Sequence, residues 1–181
     1  MRIRLSMLVA LCAVAMCGSA AAESRPTAGE WQIKSAFLYN FTRFVEWPDS
    51  ALPAPAQPIV IGVLGEKELA LELGAIVAGR NVNGRAIEVR AVRTVAEARA
   101  TQLLFVTAAQ ESRYAAMRSE LVDSPVLTVG ESPAFSVTGA IGFVQEGEKL
   151  RFEINVDIAE RSQLKISSQL QKLAIAIRRT Q

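Results

Sequence analysis

From about Gly29 to Glu46 the apolar residues Ile33, Phe37, Phe41, Phe44 and Val45 recur at three- and four-residue spacing, which predicts an amphipathic helix. Leu38 widens its stripe, Asn40 lies on or beside it, and Pro48 ends the helix. Tyr39, Arg43 and Glu46 are spaced to share another face, where an Arg–Glu pair at i, i+3 can form. Between Pro48 and Pro58 four prolines exclude a helix or a central strand, so this segment reads as a surface connection.

Ile59 to Leu64 is a short apolar run of the kind a strand buried on both faces shows. Gly65 turns the chain, and Glu66 to Val77 predicts a helix with acidic residues in its first turn, stopped by Gly79. Asn83-Gly84 marks a turn before an alternating strand from Arg85 to Val92. A short helical piece (Val95 to Arg99), a buried strand (Gln102 to Val106), a helix (Ala109 to Leu121) and a strand (Pro125 to Val129) follow. Ser132-Pro133 reads as an N-cap followed by a first-position proline of a short helix. Ala140 to Gln145 and Lys149 to Ile154 flank Glu146-Gly147-Glu148 as a hairpin. Asn155 is placed to cap a short helix through Glu160, and Ser168 with Gln171 has capping-box spacing at the start of a last helix that runs to about Arg178. This alternation predicts a single three-layer α/β domain: a largely parallel sheet, helices on both faces, and a C-terminal antiparallel hairpin.

The chain's start stands apart from that pattern. Arg2 and Arg4, an apolar run from about Leu5 to Cys17, and small residues from Gly18 to Ala22 form the layout of a secretory signal peptide, with Glu23 as the first mature residue. The apolar run is shorter than the roughly 20 residues a bilayer span requires. Cys12 follows Leu11 and Cys17 follows Met16, so neither suits lipid attachment. On this reading residues 1–22 are an export signal and residues 23–181 are the domain. Both cysteines leave with the signal, and the mature protein can form no disulfide.

Composition narrows the function classes. Half of the 181 residues are hydrophobic and 21% are charged, as a globular domain with an ordinary core requires. Histidine is absent, which removes the usual neutral-pH general base and excludes Ser-His and Cys-His nucleophile pairs. Once Arg2 and Arg4 are removed, the 20 basic residues become 18, equal to the 18 acidic ones. A neutral chain lacks the positive excess of a nucleic-acid binder. Five arginines between Arg80 and Arg99 are interleaved with Glu88 and Glu97 and read as a solvated face.

Ser162-Gln163-Leu164-Lys165 matches the Ser-x-x-Lys of serine acyl-enzymes, but neither of the companion motifs accompanies it. Gly62-Val63-Leu64-Gly65 opens a helix after a strand with glycine spacing that fits neither dinucleotide nor P-loop patterns, so a tight βα turn is the simpler reading. The acidic residues form no ligand-spaced cluster. Glu153 and Asn155 point to the same side of their strand and could receive a ligand or partner; the alternative is that Asn155 caps a helix and Glu153 pairs with an arginine. Trp31 and Trp47 bracket the first helix, as packing residues or as binding anchors. The residues therefore predict no catalytic group, no cofactor and no metal, which leaves binding as the default activity.

Three stretches resemble the YfiR-like family of bacterial periplasmic proteins. They are Lys34-Ser35-Ala36-Phe37-Leu38-Tyr39-Asn40-Phe41-Thr42-Arg43-Phe44-Val45-Glu46-Trp47-Pro48, then Val126-Leu127-Thr128-Val129-Gly130-Glu131, and finally Phe152-Glu153-Ile154-Asn155 with Leu164-Lys165-Ile166-Ser167-Ser168-Gln169-Leu170. The likeness covers essentially residues 30 to 177. It implies an exported, non-catalytic α/β regulator that represses an inner-membrane diguanylate cyclase by binding the cyclase's periplasmic domain, lowering cyclic di-GMP and biofilm formation. Redox-sensitive members carry disulfides in the mature domain, whereas Thr101 stands here where a cysteine is expected in many relatives, and Gly139-Ala140-Ile141-Gly142-Phe143 is looser than the family's paired glycines.

Candidate partner-binding residues are Tyr39, Arg43, Glu46 and Trp47 at the end of the first helix, with Glu153, Asn155, Lys165 and Ser167 in the third stretch. At the helix end two readings stay open: an interface, or Trp47 stapling the helix to the core while Arg43 pairs with Glu46. A homodimer is compatible with either, and no nucleic acid or inserted membrane segment is expected of the mature chain. The alternative function is a periplasmic small-molecule-binding sensor. Protein recovered from the periplasm is expected to have the intact mass of residues 23–181; a mass retaining both cysteines overturns the cleavage site.

Overall fold

A computed structural model describes residues 28–52, 54, 57–132 and 134–179. The expected export signal, residues 1–22, and Pro133 lie outside the described residues. The chain begins with helix α1 (Ala28–Phe44), which passes directly into a two-residue strand, β1 (Val45–Glu46). After the proline-rich connection come β2 (Ile59–Leu64), α2 (Lys67–Val77), β3 (Asn81–Val82), β4 (Arg85–Val92), α3 (Val95–Arg99) and β5 (Leu103–Val106). A 3-10 turn leads into α4 (Glu111–Leu121), followed by β6 (Leu127–Gly130), α5 (Phe135–Thr138), β7 (Ile141–Glu146) and β8 (Lys149–Asn155). The chain closes with α6 (Val156–Arg161), β9 (Lys165–Ile166), α7 (Ser168–Leu173) and β10 (Ala176–Arg178).

Eight strands form one sheet in the order β10-β8-β7-β6-β5-β2-β4-β3. The β7–β8 and β3–β4 pairs are antiparallel and the other neighbours are parallel. Every residue of β2, β5 and β6 is buried, because parallel strands joined by helical crossovers are covered on both faces. Successive side chains of β5 alternate between two cores: Leu103 and Phe105 join the cluster under α1 and α2, while Leu104 and Val106 join the one under α3 and α4. The three-layer α/β domain with its antiparallel hairpin is therefore present.

The phase of α1 differs from the expected stripe. Its buried residues are Trp31, Lys34, Ser35, Leu38, Phe41 and Thr42, while Ile33 is 50% exposed and Phe37 and Phe44 are only half-buried. Three polar residues enter the buried stripe because each finds a partner there, Thr42 Oγ1 donating to Tyr39 O at 2.7 Å. Ser35 Oγ donates to Trp31 O at 2.7 Å, and the Lys34 ammonium meets Glu131 at 2.9 Å and Glu30 at 2.6 Å. The helix also ends at Phe44 rather than Glu46. Val45 and Glu46 extend to pair antiparallel with Ile166 and Lys165.

The last helix is likewise shorter than its capping pattern predicts. It ends at Leu173, its N-cap is Ser167 rather than Ser168, and Ala176–Arg178 adds a parallel strand to β8, with Ala176 opposite Glu153 and Arg178 opposite Asn155. Without β10, the outer edge of β8 would be an open row of backbone donors and acceptors. The helix after Ser132 starts at Phe135, whose N–H bonds to the Ser132 carbonyl rather than to its hydroxyl.

Ile33, which only the expected stripe buries, tests the phase, with Phe41, buried on either one, as the reference. Phe41 is fully buried against Phe143 and Phe152, so Phe41→Ala is expected to lower the free energy of unfolding by about 3–5 kcal/mol. Ile33→Ala is expected to change it by no more than about 0.5 kcal/mol. Urea unfolding of the two variants decides between the stripes, and a larger loss at Ile33 restores the one expected from periodicity.

Candidate functional site

Tyr39 and Arg43 stand one turn apart on the outer face of α1, close enough to touch. The Arg43 guanidinium lies 5.8 Å from the Tyr39 ring centroid and 5.7 Å from that of Phe44. Arg80, at the approach to β3, places its guanidinium 5.0 Å from the same Tyr39 ring. The Tyr39 hydroxyl donates to Asn81 O at 3.1 Å, which fixes the ring against β3. Asn83 and Gly84, at φ 51° and 79°, make the tight β3–β4 turn that brings this edge to the helix. Between helix and turn lies an open groove of about 460 Å³.

A second groove of about 370 Å³ adjoins it, sharing Arg43, Val82 and Asn83 and adding Glu46 and Arg85. Glu46 stands opposite Lys165 in the β1–β9 register, and the Ser167 amide donates to Phe44 O at 2.9 Å while the Ser167 hydroxyl caps α7. The fold thus gathers Tyr39, Arg43, Glu46, Lys165 and Ser167 around the end of α1. Trp47 lies beneath them, 8% exposed, with its indole N–H donating to Gln102 O at 3.0 Å. The side chain of Gln102 in turn bonds Val60 N and Ala51 O, so Trp47 belongs to the brace that holds the chain leaving α1. No ion pair joins Arg43 to Glu46 among the described residues; the guanidinium stacks on two aromatic rings instead.

Glu153 and Asn155 share one side of β8 and both reach Ser136 of α5. Glu153 accepts from Ser136 Oγ and from Arg178 Nε, each at 2.7 Å. Asn155 donates to Ser136 O at 2.9 Å and accepts from Ile158 N at 3.1 Å, capping α6. The Arg178 guanidinium holds the Glu153 carboxyl below the usual glutamate range; burial opposes this and the Ser136 hydroxyl assists it. These two residues form a partnered network that locks α5 and β10 to the sheet. Arg178 was beyond sequence reasoning as the partner because its segment reads as helix.

Periodicity also passed over the pairing of Lys34 with Glu131, which follows β6 and accepts a 2.9 Å hydrogen bond from Ala108 N as well. Burial pulls the Lys34 ammonium down, and the two carboxylates beside it outweigh that, leaving it above its ordinary value. A signal existed: Lys34 falls three residues after Trp31 and four before Leu38, in line with large apolar residues. The Ser-x-x-Lys string does not assemble a nucleophile pair, since Ser162 donates to Val122 O and Lys165 is an exposed strand residue. Gly65 turns the chain at φ 72° with the Gln110 side chain packed against it, so that βα turn is filled by protein. Among the described residues no group of three or more acidic side chains is arranged to hold a metal, and no helix is long and apolar enough to cross a membrane.

A family model described as YfiR/HmsC-like matches residues 31–175. No curated protein matches the chain significantly. Among solved structures, the chain is similar to the ABC domain in complex with L-Trp from Streptococcus pneumonia, with a TM-score of 0.53 and 14% identity over 82% of this chain. It spans 62% of that protein's length, and the likeness is one of fold.

The Glu153–Arg178 pair has a defined pH signature. A glutamate whose folded pKa lies below its unfolded value contributes stability above the unfolded pKa and loses it as pH falls through the folded one. Glu153→Gln is therefore expected to lower the urea midpoint at neutral pH, and the gap to the parent should close as the pH drops through and below the usual glutamate range. A gap that stays constant with pH assigns the loss to packing rather than to charge.

Proposed function

The chain belongs to the YfiR/HmsC-like family, and from that premise we propose that it is a non-enzymatic periplasmic repressor of an inner-membrane diguanylate cyclase. It binds the cyclase's periplasmic domain, lowering cyclic di-GMP and biofilm formation. The family is one of periplasmic regulators of diguanylate cyclase, and the match spans almost all of the folded chain. That coverage is the observation that carries the reading. The signal-peptide layout read in the sequence of residues 1–22 is consistent with it, since an exported domain would meet such a partner.

The surface assigned to docking is the end of α1, with Tyr39, Arg43, Glu46, Lys165 and Ser167. Arginine and aromatic residues are over-represented where binding energy concentrates, and here an exposed guanidinium is held ready by two rings. Of the remaining candidates, Trp47 braces the chain that leaves α1 beneath that surface, whereas Glu153 and Asn155 hold α5 and β10 at the opposite edge of the sheet and are not assigned to docking.

One observation favours a second reading, a small-molecule-binding sensor. Open α/β sheets receive ligands outside the carboxyl ends of the strands, where the strand order reverses; in this sheet that point lies between β2 and β5. Near it, Trp31 Nε1 and Thr107 Oγ1 are buried without a hydrogen-bond partner among the described residues. Native mass spectrometry of protein purified from the periplasm separates the two readings by the presence or absence of a retained small molecule.

Arg43→Ala is expected to leave the melting temperature nearly unchanged and to weaken binding to the cyclase's periplasmic domain by at least about 1.4 kcal/mol, a tenfold change in Kd. Calorimetric titration with a folded variant measures it. Unchanged affinity, or a loss explained wholly by unfolding, removes the end of α1 as the docking surface.

A further inference from the structure

We infer that the groove between α1 and the β3–β4 hairpin is a carboxylate-recognition site, occupied by an acidic, extended segment of a protein partner. This rests on the docking reading above and adds to it a residue, Arg80, and a chemistry.

The residues between Arg80 and Arg99 read in sequence as a uniformly solvated face, but the structure divides them. Arg90 pairs with Glu88 at 2.7 Å, Arg85 donates to Ala54 O and Arg99 donates to Glu120 O. Arg80 instead crosses to Tyr39 and shares its ring with Arg43. Among the described residues neither of these two guanidiniums has a carboxylate at ion-pair distance, and none of the residues lining their groove is acidic. The adjoining groove is lined by one acidic residue, Glu46, together with Arg43 and Arg85.

Two like charges held against one ring repel each other, and an anion bound to both offsets that repulsion. Guanidinium is the side chain whose fork of N–H groups matches a carboxylate in bidentate fashion. Its usual cost on binding is the ordering of a long side chain, and stacking on a ring reduces that cost. The ring is itself fixed, because the Tyr39 hydroxyl is tied to Asn81 O. The site is thus arranged before its ligand arrives.

The groove's position selects an extended segment over a free ion. It is open to water, where a lone carboxylate or phosphate competes with solvent and salt. It also runs beside β3, the terminal strand of the sheet, whose outer side has no neighbouring strand among the described residues. A terminal strand with a free side is where extended peptides are received. A segment can place carboxylates on both arginines while covering the exposed parts of Tyr39 and Phe44.

The test uses the full mature chain and a hexaglutamate peptide as probe, with hexalysine and inorganic phosphate as separate arms. Binding to hexaglutamate is expected to fall at least about tenfold in Arg80→Ala. It is also expected to weaken markedly between about 50 and 300 mM salt, as screening requires. Arg80→Lys should recover part of the affinity, and hexalysine should not bind. Unaltered hexaglutamate affinity in an Arg43→Ala, Arg80→Ala double variant with an unchanged melting temperature overturns the site. Phosphate bound as tightly as the peptide overturns its assignment to a protein segment. A cyclase periplasmic domain that binds parent and Arg80→Ala equally well also overturns the inference while leaving the regulator reading intact. If that domain fails to bind the parent while hexaglutamate binding requires Arg80, the regulator reading fails and the carboxylate site stands.

Discussion

Phe41 of α1 is wholly buried and meets Phe143 of β7 and Phe152 of β8 at ring-centroid distances of 6.0 and 5.2 Å. Phe37 touches the same two rings from one turn earlier, and Trp31 reaches Phe105 in the middle of the sheet. A parallel sheet must be covered on both faces, and α1 supplies much of the cover on one of them. Fully burying one such ring contributes about 1.5–3 kcal/mol, a large share of a typical domain's net stability. The other elements on this face, α2 and α7, pack beside a helix already fixed by its aromatic residues.

Fixing α1 in this phase determines what faces outward. With Leu38, Phe41 and Thr42 turned to the core, Tyr39 and Arg43 are turned to the β3–β4 hairpin. The same phase carries Lys34 inward, where an unpaired ammonium would be strongly unfavourable. Glu131 meets it from the end of β6 and is itself tied to Ala108 N, so one ion pair links the first helix to the carboxyl ends of two central strands. Replacing such a pair by apolar residues is often neutral for stability.

The far edge of the sheet is closed by polar rather than aromatic contacts. Ser136 gives its hydroxyl to Glu153 and its carbonyl to Asn155, and Arg178 completes the carboxylate's partners from β10. Asn155 also starts α6. A buried polar side chain that satisfies two neighbours at once orders both, because leaving either unpaired is costly. That is why Glu153 and Asn155, which look like free polar groups on one strand face, are partnered in the folded chain.

The sequence by itself determined whatever depends on near neighbours. Ile59 to Leu64 and Leu103 to Val106 were legible as strands because a segment buried on both faces must be apolar throughout, and Asn83-Gly84 and the Asn155 cap were legible because each acts over two to four residues. The long first motif also carried the family resemblance, which no physical reading of composition would have supplied. The phase of α1 was decided by the tertiary structure, since Lys34 can face inward only because Glu131 waits 97 residues further along the chain. The strand at Ala176–Arg178 exists because β8 offers an edge, and local propensity is too weak to outweigh that pairing. Arg43 and Arg80 likewise meet on one ring through the placement of a hairpin against a helix. Periodicity records what a residue's own turn or strand requires, whereas a partner from a distant segment leaves no mark in it until the chain has folded.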